Sequence, residues 1–401
     1  MTFSSYPLAI LLLLMPMVAV IDGLAMAPLA VALFLLLAWP QRRALADWRS
    51  IYRSHPQAII ILLLLTVWPV LTSLWSIVPQ VSLMTALRSA ALLLLALLGI
   101  FLAGRQDDKP DRTLCLLPAF GVALALLLVF SGQLPGGGSV PWVAALLKHD
   151  ELTYLSRDIN RGLCVLSVLV WPAVIGLLRA HNRKLAMVLP WVLLLALFSL
   201  HSLSAKTGLL AGMAVFYVMA LWPRAGRRTF IWGAPLVFMA LPLAFYLFEP
   251  ILRASMFKDL PGSSQHRVEI WHFVLEKWKE RPWLGWGVDS SRAIPGGLEE
   301  IMPGLVKLPL HPHNLPLHVL LEQGIIGFGL FFTALWLFVR RMLPVGPQHS
   351  PMISAAMAAT LASYLTIAMS GFGMWQNWWE ATGLAAFLII VFVDYAREGE
   401  T

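Results

Sequence analysis

"LPLHPHNLPLHVLLEQGIIGFGL", residues 308–330, sets two histidines and an asparagine directly before an apolar run. From residue 315 to about 339, His318 and Glu322 are the only ionisable side chains of that run. A segment of this length can cross a hydrocarbon layer, which takes about 20 mostly apolar residues. A titratable group inside such a segment is costly, and it points to the bundle interior or to a wet cavity. Asn314, His318 and Glu322 recur every four residues and therefore share one face of a helix. The stretch reads as the polar mouth of a membrane helix.

Working outward, apolar runs recur along the whole chain. Twelve spans are expected, at roughly 7–21, 24–40, 57–75, 84–103, 114–131, 160–178, 185–201, 205–222, 229–248, 315–339, 351–370 and 380–396. The fold class is all-α, a single polytopic membrane domain over 1–401. The positive-inside rule orients it. With a cytoplasmic N-terminus, the short inside loops carry fifteen Lys or Arg: Arg42, Arg43, Arg49, Arg53, Arg105, Lys109, Arg112, Arg179, Arg183, Lys184, Arg224, Arg227, Arg228, Arg340 and Arg341. The short outside loops carry Lys206 alone. A miscount by one helix near the middle would erase this asymmetry, so both termini are expected in the cytoplasm. Two outer segments are long, 132–159 and 249–314, and long loops often carry function. The opening motif lies where the second of them enters the tenth span.

Of the 401 residues, 59% are hydrophobic and 12% charged, against about 25% charged in soluble proteins. The net charge of +8 could suggest nucleic acid, but the basic residues sit mostly in short loops, where they signal topology. No nucleic-acid partner is expected. The seventeen tryptophans suit aromatic belts at the membrane interfaces. Cys115 and Cys164 fall near opposite faces in this topology, which disfavours a disulfide.

The long loop contains "SSQHRVEIWHFVLEKWKERPWLGWG", residues 263–287. A serine pair is a typical helix cap. Val268, Trp271, Leu275 and Trp278 then mark one face of an amphipathic helix, stopped at Pro282. Arg267 is expected in the first turn, where the helix dipole disfavours a cation. It reads either as an anion ligand or as a solvated or headgroup-bound charge. His313, just outside the tenth span, could serve as a base near neutral pH or as an interfacial histidine with a structural hydrogen bond. His311, His313 and His318 lack the ligand spacing of a zinc site, so no metal and no cofactor is expected. Lys206 and Arg161 lie at the outer starts of the eighth and sixth spans, and Arg88 one turn inside the outer end of the fourth. Each alone could snorkel to the interface. Together with Arg267 they would suit a diphosphate, which favours several charged donors.

Three stretches carry a resemblance to a known family. They are "HRVEIWHFVLEKWKERPWLGWGVDS", "HPHNLPLHVLLEQGIIGFGLF" and "LSAKTGLLAG". The chain resembles the bacterial O-antigen ligases, relatives of the O-antigen polymerases and the protein O-oligosaccharyltransferases. The resemblance implies a multi-pass enzyme of the bacterial inner membrane with its active site facing the periplasm, and makes 249–314 a large, partly helical periplasmic loop. It implies transfer of a polysaccharide from undecaprenyl diphosphate to a sugar of the lipid A–core oligosaccharide, with membrane lipids around the site. His313 matches the motif histidine, the candidate base. Arg267 matches the loop arginine, a candidate diphosphate ligand. Lys206 stands where the family commonly shows arginine, keeping the charge but losing the planar fork. Arg161 and Arg88 are added from topology, and Asn314, His318 and Glu322 as supporting groups.

The expected mechanism is one metal-independent, inverting displacement at the anomeric carbon. A polymerase would use a second lipid-linked glycan as acceptor, and a protein oligosaccharyltransferase a Ser or Thr. A transporter of lipid or polysaccharide is the rival outside enzymes. It typically shows inverted repeats and helices broken near the midplane, whereas the polar residues here gather at one face.

Overall fold

The computed structural model describes residues 5–40, 56–103, 110–132, 138–148, 150–151, 158–200, 202–251, 262–302, 304–343 and 350–394. Arg42, Arg43, Arg49, Arg53, Arg105 and Lys109 of the topology argument lie outside them. Among the described residues there are fourteen α-helices: α1 Ser5–Ile21, α2 Met26–Ala38, α3 Pro56–Thr72, α4 Pro79–Ala103, α5 Arg112–Ser131, α6 Val140–Leu147, α7 Ile159–Arg179, α8 Arg183–Phe198, α9 Leu203–Leu221, α10 Pro223–Ile251, α11 Gly262–Glu280, α12 Leu315–Met342, α13 Pro351–Ala368 and α14 Asn377–Asp394. The protein is an all-α polytopic membrane protein. Each of the twelve expected spans coincides with a helix, and α6 and α11 lie in the two long loops. Among the described residues, eight helices are long and apolar enough to cross a membrane; α1, α2 and α3 are apolar but shorter.

Helix α7 is the hub of the bundle. Its apolar stretch is 89% buried, with Trp171 fully inside and its indole N–H donating to Ser363 Oγ at 2.8 Å. Small residues let neighbours approach it closely. A Cβ on Gly162 would meet the Val20 backbone at 2.5 Å, and one on Gly176 the Cys115 carbonyl at 2.0 Å. Such contacts suit helices in lipid, where packing replaces the hydrophobic drive of water.

The two ends of the bundle are chemically distinct. At one, Arg179 pairs with Asp394, and Arg224, Arg227, Arg228, Arg340 and Arg341 gather around one cavity. At the other lie the starts of α7, α9 and α12 and the turn at 370–376. This segregation agrees with the basic-loop pattern of the sequence.

Two local expectations are corrected. Helix α11 begins at Gly262, ahead of the serine pair, so Ser263 and Ser264 lie inside its first turn and do not cap it. Arg267 therefore stands in the second turn, where the dipole penalty is weaker. Helix α4 begins at Pro79, well before residue 84, so Arg88 sits more than two turns from the helix start. In both cases the backbone continues helically through residues that composition marks as loop.

Candidate functional site

The site forms around a break in α12. Gly324 has φ 65° and ψ −173°, which splits the helix into two segments. The chain at 282–287 fills the break. Trp286 N–H donates to the Leu321 carbonyl at 3.0 Å and Gly287 N–H to the Glu322 carbonyl at 2.8 Å. In return Ile325 N–H donates to Pro282 at 2.9 Å and Ile326 N–H to Trp283 at 3.3 Å. Backbone groups freed at membrane depth are thus satisfied by another segment, as they must be. The approach demands glycine. A Cβ on Gly324 would lie 2.2 Å from the Trp283 carbonyl oxygen, and one on Gly285 (φ 68°) 2.5 Å from the Glu322 carbonyl. Two stretches quoted separately from the sequence, "PWLGWG" and "EQGIIG", are therefore one interlocked unit.

Glu322 secures this unit. Its side chain is fully buried. It accepts from Asp289 N–H at 2.7 Å, Ser291 N–H at 2.9 Å, Ser291 Oγ at 2.5 Å and Trp375 Nε1 at 2.6 Å. His318 Nε2 lies 3.1 Å from it, at angles outside those of a hydrogen bond, so the contact is electrostatic. His318 Nδ1 accepts from Met374 N–H at 3.2 Å, which leaves the ring proton on Nε2. Asn314 caps α12, its Oδ1 accepting from Leu317 N–H at 3.2 Å. All three stripe residues are buried, so of the two settings expected for that face, bundle interior or wet cavity, it is the bundle interior.

His313 is placed differently. It adopts φ 51°, left-handed and uncommon for a side chain of this kind. Its N–H donates to His311 Nδ1 at 3.2 Å. Its own Nδ1 lies 2.7 Å from the Gly371 carbonyl. A carbonyl only accepts, so Nδ1 carries the proton and Nε2 keeps a lone pair. The His311 and His313 rings stand 4.2 Å apart. Burial, the neighbouring imidazoles and Arg292 push His311 down to about 2, so it is neutral at working pH. Burial also lowers His313; the Gly371 carbonyl opposes this, and the nearby Arg267 charge lowers it further.

Arg267 is brought to this histidine by α11. That helix packs its apolar face, including Ile270, Val274 and Leu275, against Leu317 and Leu321 of α12. One turn beyond Arg267, Trp271 Nε1 donates to the Pro312 carbonyl at 2.9 Å, and His266 Nε2 bonds the Val306 carbonyl at 2.8 Å. These bonds lay the helix along the chain leading to His313. Arg267 has no hydrogen bond or ion pair among the described residues, and burial lowers its pKa. A half-buried, unpaired guanidinium beside an imidazole with an open lone pair is the most reactive arrangement at this end of the bundle.

The other expected cations are more committed. Arg88 donates to the Trp375 carbonyl at 3.0 Å. Arg161 pairs with Asp158 at 2.9 Å. Lys206 lies over the Phe198 ring at 5.8 Å, on a helix whose Ser204 meets Ser370 at 3.4 Å. The turn at 370–376 thus ties His313, His318, Glu322, Arg88 and the start of α9 together. Sequence reading passed over that turn, although "SGFGMWQNWWE" between two apolar runs was its signal. It also passed over Ser291 and Arg292. Asp289, expected from the sequence to be a solvated or ion-paired loop carboxylate, instead accepts from Thr85 Oγ1 at 2.9 Å, and its carboxyl is raised by burial and by Glu322. Below the turn an apolar cleft of about 240 Å³ runs between α3, α4, α12, α13 and α14, with Ser89, Trp375 and Glu380 as its polar end.

Residues 163–332 match the family described as O-antigen ligase. The matched stretch contains Lys206, Arg267, His313, Asn314, His318 and Glu322. Relatives match along nearly the full chain. A protein of Rickettsia conorii named "Putative polysaccharide ligase" is 26% identical over 96% of this chain and 97% of its own length. A namesake of Rickettsia felis is 26% identical with the same coverage. One of Rickettsia prowazekii is 26% identical over 80% of this chain and 77% of its own.

Proposed function

Since residues 163–332 match the O-antigen ligase family, we propose that the chain is a member of it and transfers O-antigen polysaccharide from undecaprenyl diphosphate to the lipid A–core oligosaccharide at the periplasmic face of the bacterial inner membrane. Glycosyl transfer of the ligase or polymerase type is the family's general activity. The donor, acceptor and mechanism are our reading. The observation that carries it is the pairing of an unpartnered Arg267 with a His313 whose Nε2 lone pair is open.

In this reading the acceptor hydroxyl gives its proton to His313 Nε2 as its oxygen attacks the anomeric carbon. The bond from that carbon to the diphosphate oxygen breaks, and its electron pair leaves with the diphosphate. Arg267 stabilises the charge that develops there, aided by Lys206 and by the remaining N–H groups of Arg88 and Arg161. One displacement inverts the anomeric centre. Fixed guanidinium groups fill the role that a divalent ion takes in many diphosphate-using enzymes. The apolar cleft suits the first isoprene units of the donor, since its lining is almost wholly aliphatic and aromatic. Arg88 immediately precedes Ser89 at the cleft's polar end, so the tail and the diphosphate would meet there.

Complementation tests the assignment. Expression in a ligase-deficient strain should restore capped lipid A–core in a lipopolysaccharide ladder. Rescue of a polymerase-deficient strain instead would move the acceptor to a second lipid-linked glycan.

A further inference from the structure

At the end of the bundle remote from His313 lies a second, larger cavity of about 820 Å³. Helix α12 has 28 residues, so at about 1.5 Å per residue this cavity stands roughly 40 Å from the transfer site. Five arginines line it. Arg224, Arg227 and Arg228 come from the start of α10, and Arg340 and Arg341 from the last turn of α12. No carboxylate is among its described lining residues.

Two of the five are braced by the protein. Arg227 Nε donates to the Leu343 carbonyl at 2.7 Å. Arg340 lies over the Trp336 ring at 5.3 Å, and Trp336 stands 5.5 Å from Trp232. The other three, Arg224, Arg228 and Arg341, have no hydrogen bond or ion pair among the described residues. Like charges gathered in a partly desolvated cavity repel more strongly than in water. The positive-inside rule accounts for arginines at this end of the bundle. It does not account for their convergence on one concavity with a tryptophan wall.

We propose that this cavity binds the phosphate-bearing headgroup of an anionic lipid from the leaflet opposite the transfer site. Arg224, Arg228 and Arg341 grip phosphate oxygens, for which the guanidinium fork is well matched. Trp232 and Trp336 lie against the glycerol and upper acyl chains, the depth at which tryptophan is enriched. Basic pockets between membrane helices are suited to such headgroups. The volume falls in the range of about 300–1,000 Å³ typical of small-molecule sites. A headgroup with two phosphates matches the five charges better than one with a single phosphate.

The full-length protein in phosphatidylcholine nanodiscs should be titrated with cardiolipin, phosphatidylglycerol and, separately, inorganic pyrophosphate. Native mass spectrometry and thermal unfolding would follow binding. Cardiolipin should be retained and should raise the unfolding midpoint. A variant with Arg224→Gln, Arg228→Gln and Arg341→Gln should keep its midpoint in phosphatidylcholine alone and bind cardiolipin at least about tenfold more weakly. If that variant fails to insert, Arg341→Gln alone should show the same loss in smaller degree. Cardiolipin binding no tighter than phosphatidylcholine, or undiminished in a folded variant, would overturn the proposal. Pyrophosphate binding that displaces the lipid would reassign the cavity to a soluble phosphate compound.

Discussion

At Glu322 both carboxylate oxygens are taken up by the protein, in four hydrogen bonds. Among the described residues, only Nδ1 of the His313 ring is engaged, and Nε2 stays open. Both side chains belong to one motif at the mouth of α12, yet they do opposite work. Glu322 is a knot that ties the 286–291 loop and the 370–376 turn to a broken helix. His313 and Arg267 carry the unspent polar capacity. A titratable group inside a membrane helix therefore need not touch substrate. Whether its valences are filled by the protein is the more telling feature.

The largest effects should come from untying the knot. Glu322→Ala leaves four donors without an acceptor inside the bundle, which should cost about 3–5 kcal/mol, as when one partner of a buried pair is removed. Gly324→Ala forces a Cβ against the Trp283 carbonyl and into a backbone conformation that essentially only glycine adopts. Both variants should lose folded protein in thermal unfolding, with transfer lost as a consequence. Wild-type unfolding of either would dissolve the distinction between knot and site.

Arg267 should behave in the opposite manner. Arg267→Ala should stay folded and lose on the order of 10- to 1,000-fold in turnover, as for one group stabilising developing charge. Arg267→Lys should fall between it and wild type, because charge is kept and the fork is lost. Donor-analogue binding measured beside turnover would separate diphosphate recognition from a headgroup contact.

A smaller effect concerns pH. A base acts only when neutral, and burial with the Arg267 charge holds His313 below the ordinary imidazole value of 6.5. Turnover should therefore persist as pH falls through that value and drop only beneath it. Arg267→Gln removes one of the lowering influences, so the acid limb of its residual activity should move to higher pH. An unmoved limb would separate the two residues. Excess chelator should leave the rate unchanged, the smallest effect of all; a loss restored by magnesium or manganese would replace the fixed cations with a metal.

Much of this was legible in the sequence. Twelve apolar runs and one-sided basic loops gave the architecture, because lipid imposes length and charge rules that survive without tertiary information. Arg267 and His313 could be singled out, as could the glycines of "PWLGWG" and "EQGIIG". What spacing could not show was that these two stretches pair across a helix break, since that bonding is backbone to backbone and residue types hardly record it. The four-residue period correctly put His318 and Glu322 on one face, whereas Asn314 stands just before the helix as its extended cap. The period could not tell a face that meets water from one filled by Ser291, Met374 and Trp375. The turn at 370–376 was missed for the same reason, because it contributes mainly carbonyls and N–H groups.

The most direct test is turnover of purified His313→Ala with a lipid-diphosphate glycan donor and a lipid A–core acceptor, from about pH 6 to about pH 8. The same preparation should be checked for wild-type thermal unfolding. The account predicts a folded protein whose transfer falls by at least the roughly 100- to 10,000-fold that a general base contributes. Near wild-type turnover across that range would contradict it and would remove His313 from the chemistry.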